Sequence, residues 1–386
     1  MSNDMHSGYA ASHPVIRLSS KRWSFSPYAS CYSRPDIVWG LYSGRFYALG
    51  WGDDALATYR VLRQAAVLFD VPERPIEIAG PDCMKFVQRV FCRRLDDLAV
   101  GRGRYALACR QDGGILMDGI LFRLAADMLW YVPANGEFRP WLEALAIGFD
   151  VALRDPQSWV LQVQGPKSLD VLAAIWSEAE ARALPYFHIR RCEVAGQPML
   201  VSRTGWTGEL GFELFSLGAF DGPALWRHVL ARGEPFGLVA GSLESMGMRR
   251  IEAGILDNGT DMDPSLTPYG AGLGKFVDLE ARDYVGRAAL SKADKRSLIF
   301  GLTAVNGAPV AGMGVLMDGR VVGTVTTGTF SPHLGHGIGY VRFNEPGEWL
   351  GASVALPEAG AGEAKVVALP FLDPERRLPR QLAIST

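Results

Sequence analysis

No apolar run in the chain approaches the roughly 18 residues that a membrane span needs, so no membrane partner is expected. Neither sign of charge dominates. Lys plus Arg total 39 against 41 Asp plus Glu, a net of −2. That balance excludes a polyanion-binding surface over the whole protein and predicts no nucleic-acid partner, while leaving a local basic pocket open. Cysteine is sparse: Cys31, Cys83, Cys92, Cys109 and Cys192 are odd in number and form no CxxC. They read as reduced thiols, not as a disulfide framework or a zinc site, and no metal is expected. His333 and His336 stand three apart with no third ligand nearby, and His188 reads as structural. The GxSxG, Walker A and GxGxxG patterns are all missing; Gly101-Arg102-Gly103 lacks the third glycine. The opening MSNDMHSGYAASHP has neither the basic start nor the apolar stretch of a secretory signal, so a cytoplasmic protein is expected. Residues 1–20 are polar and mixed, the composition of a loose segment.

Aromatic residues, in contrast, are plentiful: 10 Trp, 12 Tyr and 18 Phe. A flat heterocyclic ligand needs such side chains. The 386 residues suggest two or three domains at roughly 150 residues each. Apolar residues at three- and four-residue steps (Leu56, Tyr59, Leu62, Ala66, Phe69) predict an amphipathic helix from Asp54 to Phe69. Next, Ile76-Glu77-Ile78-Ala79 alternates as a strand, and Gly80-Pro81-Asp82 leads into a helix to about Phe91, Pro81 suiting the first helical turn. The pattern recurs at Leu161-Gln162-Val163-Gln164-Gly165-Pro166, with a helix to Trp176, which suggests a duplicated α+β core. Strands are expected at 115–122 and 128–132, and helices at 137–147 and 221–233. After the charged SKADKRS the chain turns to strands. The Asp318-Gly319 pair between apolar runs signals a hairpin in an all-β domain over 297–386.

Three segments bear chemistry. Ser202–Leu214 packs three glycines, Trp206 and the carboxylates Glu209 and Glu213 between strands. It reads either as a ligand loop, with a stacking face and an acceptor for paired N–H groups, or as a hairpin plugged by Trp206. Asp118 interrupts the apolar Gly113–Phe122 strand. A carboxylate there either works on a ligand or caps a turn at Gly119. Arg249 and Arg250 point about 100° apart on a helix. One can face a ligand while the other is solvated, or the two can form ordinary surface ion pairs.

In this order the segments resemble the folate-binding aminomethyltransferase family, which includes the glycine cleavage T protein and the tetrahydrofolate-dependent demethylases. The matching runs are FDVPERPIEIAGPDCMKFVQ, GRYALACRQDGGILMDGILFRL, VQGPKSLDVL, SRTGWTGELGFEL, RRIEAGILDNGTDMD, PYGAGLGKFVDL with YVGRAAL, and GTVTTGTFSPHLGHGIGYV. The resemblance implies an α+β, three-domain cloverleaf. Two α+β domains are interleaved over 21–296, a β-barrel domain follows at 297–386, and a central funnel holds folate. It implies that Asp118 sits beside folate N5 as the catalytic carboxylate and that Tyr105, Tyr186 and Trp206 are aromatics at the folate. It also implies that Glu213 grips the pterin amino edge and that Arg250 belongs to the folate pocket. Tetrahydrofolate is implied as the methyl-accepting co-substrate, with no metal.

The departures are specific. Met117 replaces the first of two adjacent Asp, Trp206 stands where T proteins carry Tyr, Pro72-Glu73-Arg74-Pro75 replaces Ser-His-Met-Gly, and Pro133-Ala134-Asn135 is altered. They look more like the branch of dimethylsulfoniopropionate demethylase and the aryl O-demethylases. The expectation is therefore a demethylase moving a methyl group from a small S-, O- or N-methylated substrate to tetrahydrofolate. The alternatives are aminomethyl transfer from a lipoyl carrier protein and a non-catalytic, regulatory folate binder.

Overall fold

The computed structural model describes residues 22–281, 283–357 and 362–381; the segment expected to be loose, 1–20, lies outside them. The duplication read from the two Gly-Pro turns extends to whole sheets. Strand Ile76–Ala79 leads through Gly80-Pro81 to helix Cys83–Val90, and strand Val160–Gln164 leads through Gly165-Pro166 to helix Ser168–Ile175. The first sheet runs in the order Gly103–Cys109, Ile115–Ala125, Met128–Pro133, Ile76–Ala79, Ala152–Arg154. The second runs Ile189–Val194, Gln197–Ser202, Gly211–Ser216, Val160–Gln164, Ala66–Val71, with Leu238–Ala240 added in parallel. Each is a three-strand meander, then the strand before the Gly-Pro turn, then a fifth strand.

The fifth strands are exchanged between the two units. Ala66–Val71 precedes the first unit in the chain but pairs with Val160–Gln164 in the second sheet. Ala152–Arg154 precedes the second unit but pairs with Ile76–Ala79 in the first. This exchange explains why both turns carry glycine. Gly80 (φ +136°) and Gly165 (φ +124°) occupy backbone conformations that L side chains rarely adopt. A Cβ on Gly80 would meet the Asp150 carbonyl and come within 3.0 Å of the Val151 Cα, just ahead of its exchanged strand. One on Gly165 would meet the Ala65 carbonyl and come within 3.0 Å of the Ala66 Cα, just ahead of the other. The N–H of Asp82 bonds Asp150 O at 3.3 Å and that of Lys167 bonds Ala65 O at 2.9 Å, equivalent seals in the two halves.

Two expectations are corrected here. The helix starting at Asp54 covers only Ala55–Gln64, with the Asp54 carboxylate accepting from the N–H of Leu56 and Ala57. Ala66 and Phe69 belong instead to the wholly buried strand Ala66–Val71. A strand buried on both faces lacks apolar/polar alternation, so its residues extended a helical spacing by coincidence. Pro81 precedes its helix instead of lying in the first turn. Asp82 is the N-cap residue, but its carboxylate accepts from the Asp150 N–H at 3.1 Å. The expected strands at 115–122 and 128–132 are antiparallel neighbours, and helices occupy Arg139–Leu145 and Gly222–Gly233, the latter capped by Asp221.

The C-terminal strands close into a six-stranded barrel, and Asp318 (φ +51°) with Gly319 (φ +75°) makes the anticipated two-residue turn. Ahead of the first unit, Ser24–Phe25 and the hairpin Val38–Tyr42/Arg45–Gly50 form a small sheet that the sequence pattern did not announce. The two large sheets pack through Phe69, Phe122, Trp130, Val160 and Phe215. The whole is an α+β cloverleaf of two interleaved lobes and a barrel. No described helix is long and apolar enough to cross a membrane.

Gly165→Ala is expected to cost about 2 kcal/mol or more of stability, from positive φ plus the collision with the exchanged strand. Gly196→Ala, also at positive φ (+73°) but with nothing within 4 Å of the added Cβ, should cost only about 1 kcal/mol. Urea unfolding of both variants checks this, and equal losses would show that the strand crossing is not what demands glycine.

Candidate functional site

A cavity of about 1290 Å³ opens where the lobes, the barrel and the N-terminal hairpin meet. Of the six residues singled out from the sequence, Asp118, Tyr105, Tyr186, Trp206 and Glu213 line this one cavity, and Arg250 does not.

Strand alternation places the acid. Met117 faces the core of the first lobe and is 4% exposed, so its neighbour Asp118 faces the cavity. Asp118 Oδ2 accepts from the Tyr105 hydroxyl at 2.9 Å, and Oδ1 accepts from Asn258 Nδ2 at 3.0 Å. Burial pushes the Asp118 carboxyl up to about 6, against the pull of these two hydrogen bonds, with Asp257 adding to the rise. Such a group exchanges a proton near neutral pH and has two fixed donors holding its plane. The turn-cap alternative fails, because the side chain bonds no backbone group at Gly119.

Glu213 lies opposite Gln162 and Ser202 in the sheet register. Gln162 Nε2 donates to its Oε1 at 2.7 Å, while Ser202 (3.3 Å) and the Thr204 hydroxyl donate to Oε2. Gln162 also reaches Glu73 Oε1 at 3.2 Å, so one amide ties two acids on the cavity wall. Burial, with Glu213 alongside, pushes Glu73 up to about 8, and its buried Oε2 has no hydrogen-bond partner among the described residues. An open oxygen beside a fixed carboxylate suits the N–H edge of a heterocycle.

Trp206 is half-buried on the loop between strands Gln197–Ser202 and Gly211–Ser216, with one face lying against Arg250, whose guanidinium carbon is 5.2 Å from the ring centroid. Arg250 is spent on protein groups: Asp261 Oδ2 at 2.6 Å, Ile255 O at 3.0 Å and Thr327 Oγ1 at 3.1 Å. It supports the cavity wall from behind. The idea that one of the two arginines is solvated is also corrected. Arg249 is fully buried, with Nε 2.7 Å from Glu209 Oε1 and Nη1 3.5 Å from Glu252 Oε2. Glu209 also pairs with Arg63, and Glu252 accepts from Tyr59 (2.7 and 2.8 Å) and from Ser331 of the barrel at 2.5 Å. Helix Leu243–Glu252 is sandwiched between the second lobe and the barrel, so neither arginine reaches water.

Several residues of the site went unread in the sequence. Asn258 lay within a matched run, but its Asn-Gly pair reads as a turn, and its partner is 140 residues away. Glu73 showed only as a departure, and Gln162 only as a strand position. Arg376 and Arg380 arrive from the far C-terminus, with Arg380 5.1 Å over the Tyr186 ring. The cavity is polarised. Tyr42 feels Glu73, Asp118 and Asp257, whereas Tyr186 feels chiefly Arg376, Arg380 and Arg203. Arg93, Arg102, Arg104 and Lys275 also line the cavity.

Residues 32–281 match the GCVT N-terminal domain, and residues 297–373 match the glycine cleavage T-protein C-terminal barrel domain. The aminomethyltransferase of Streptomyces avermitilis is 36% identical over 326 residues, covering 80% of this chain and 87% of that protein. The dimethylsulfoniopropionate demethylase of Ruegeria pomeroyi is 33% identical over 307 residues, covering 77% and 83%. The crystal structure of glycine cleavage system aminomethyltransferase T from Bartonella henselae superposes with a TM-score of 0.79 at 26% identity, covering 91% of this chain and 98% of that one.

Tyr105→Phe deletes a hydrogen bond that favours the ionised Asp118, so the titration midpoint of that carboxyl should move above its wild-type position near 6. Carboxyl carbon NMR across pH 4 to 9 reads it directly; an unchanged or lower midpoint would contradict the assigned hydrogen bond.

Proposed function

The chain belongs to the glycine cleavage T-protein family, and on that premise we propose that it is a cytoplasmic, tetrahydrofolate-dependent demethylase. In this reading a methyl group passes from a small methylated substrate to N5 of tetrahydrofolate. The cavity suits that co-substrate. Glu213 and the open oxygen of Glu73 match the N–H edge of a pterin. Tyr105 and Trp206 offer ring faces, and Arg93, Arg102, Lys275 and Arg376 line the wall where an anionic glutamate tail needs cations. Tyr186 packs along that tail with Arg380 above its ring.

The observation that carries the proposal is the raised carboxyl of Asp118, held by Tyr105 and Asn258. Methyl transfer to N5 releases one proton, and a carboxyl titrating near 6 takes it as the new bond forms and gives it up to water afterwards. Most of the acceleration then comes from holding N5 and the methyl carbon in line. Arg250 contributes by fixing the Trp206 ring and the Asp257–Asp261 turn, not by touching folate.

Aminomethyl transfer from a lipoyl carrier is the second reading, favoured by the name shared by several relatives, among them that of Streptomyces avermitilis at 36% identity. Against it stand Met117 in the core beside a lone Asp118 and the altered Pro72–Pro75 stretch, whose Pro72 and Glu73 line the cavity. The two differ in the oxidation level of the product. The protein incubated with tetrahydrofolate and a panel of sulfonium, methoxy-aryl and N-methyl compounds should yield 5-methyltetrahydrofolate by mass spectrometry. Methylene-tetrahydrofolate formed only with an aminomethylated lipoyl carrier would replace the demethylase reading with the second.

A further inference from the structure

Asp118 takes one of its two donors from Asn258, and the loop that carries Asn258 is anchored in another domain. This loop, which follows helix Leu243–Glu252, is tied to itself through Asp261. The Asp257 N–H donates to Asp261 Oδ2 at 2.9 Å, and the Asp257 carbonyl accepts from the Asp261 N–H at 2.8 Å. The Gly259 N–H closes on Met262 O at 2.8 Å. Asn258 sits between these ties, with its amide nitrogen 3.0 Å from Asp118 Oδ1. Asp261 is buried, and its remaining bonds leave the loop. Arg250 Nη1 donates to Oδ2 at 2.6 Å, and the Thr326 hydroxyl of the barrel donates to Oδ1 at 2.7 Å.

The barrel strand is modified locally to make this contact. Successive residues of a regular strand face opposite ways. Thr326 and Thr327 nevertheless reach the two members of one ion pair, Thr326 bonding Asp261 and Thr327 accepting from Arg250 Nη2 at 3.1 Å. In strand Arg320–Ser331, Val325 pairs with Val341 and Thr327 with Tyr340, so Thr326 is an extra residue with no partner across that ladder. Such a bulge re-aims a side chain. Arg250 supplies the counter-charge of Asp261, and the bulged hydroxyl fixes the plane of its carboxylate. A second barrel hydroxyl, Ser331, bonds Glu252 Oε1 at 2.5 Å on the same helix. The other side-chain partners of Glu252, Tyr59 and Arg249, lead into the second lobe and not to Asp118.

We infer that Thr326 and Asp261 are positioning residues through which the barrel holds Asn258 against the reacting carboxyl. The path runs from Thr326 Oγ1 to Asp261, from Asp261 to the Asp257 N–H, and from the adjacent Asn258 amide to Asp118 Oδ1. Its effect on the transfer rate rests on the demethylase reading; its effect on the Asp118 carboxyl does not. Asp118 is neighboured by Tyr105 and Tyr131 from the flanking strands, Tyr42 from the N-terminal hairpin, and Asp257 and Asn258 from the loop. Among the described residues only Tyr105 and Asn258 donate to its carboxylate. Loosening Asn258 removes a donor that favours the ionised form, so the carboxyl then holds its proton to higher pH.

Three variants of the full chain test this. Thr326→Val keeps the shape and deletes the hydroxyl, Thr326→Ser retains the hydroxyl, and Ser331→Ala removes the comparable hydroxyl at Glu252. Carboxyl carbon NMR should place the Asp118 midpoint of Thr326→Val above the wild-type position near 6, with Thr326→Ser and Ser331→Ala at the wild-type position. Single-turnover methyl transfer should fall about tenfold in Thr326→Val alone, with tetrahydrofolate affinity unchanged. A wild-type midpoint in Thr326→Val, or an equal shift in Ser331→Ala, would overturn the inference and reduce the contact to a domain fastener, leaving the demethylase reading standing. The expected midpoint shift in a protein that methylates no folate from any donor class would support the positioning role and end that reading.

Discussion

Each half of the duplicated core surrenders its fifth strand to the other, and the geometry of the cavity depends on that exchange. Ala66–Val71 completes the second sheet and Ala152–Arg154 completes the first, so neither sheet is whole unless both halves are folded and apposed. The crossing segments run so close to the Gly-Pro turns that only glycine fits at 80 and 165. This constraint orients the meander strands that carry Tyr105, Asp118 and Glu213, whose side chains belong to different sheets and meet across one space.

The barrel is fastened by charge. Helix Leu243–Glu252 brings Arg249, Arg250 and Glu252 between the second lobe and the barrel, and their partners come from both: Glu209 and Tyr59 on one side, Thr327 and Ser331 on the other. Buried ion pairs contribute little net stability against apolar packing, but leaving one partner alone is costly. Such a network therefore specifies one docking arrangement. It also explains how a chain with almost no net charge maintains a strongly polarised cavity: opposite charges are sorted within it, acids toward Tyr42 and guanidinium groups toward Tyr186.

Much of this was legible in the sequence, because repeated turn chemistry and alternation are local. The two Gly-Pro turns, the Asp318-Gly319 hairpin and the intrusion of Asp118 into an apolar strand each announce themselves within a few residues. What was not legible is set by distance or by burial on both faces. The Ala66–Val71 strand passed for helix because it is buried on both faces and its apolar residues do not alternate with exposed polar ones. Arg249 and Arg250 read as one ligand-facing and one solvated arginine, or as surface ion pairs, because their counter-charges, Glu209 and Asp261, lie on other elements. The pairing of Asn258 with Asp118 and the arrival of Arg376 at the cavity are products of the assembled fold alone.

In the proposed demethylase the Asp118 carboxyl, fixed by Tyr105 and Asn258 and titrating near 6, handles the proton of methyl transfer to N5 while other residues bind the folate. Asp118→Asn keeps the shape and an acceptor oxygen but cannot take a proton. Single-turnover transfer and tetrahydrofolate affinity, measured on the same preparation, read this proton-handling role. The expected result is a loss of transfer rate of about 10² to 10⁴-fold with affinity within about threefold of wild type. Transfer at the wild-type rate, or a loss traced entirely to weakened folate binding, would contradict it.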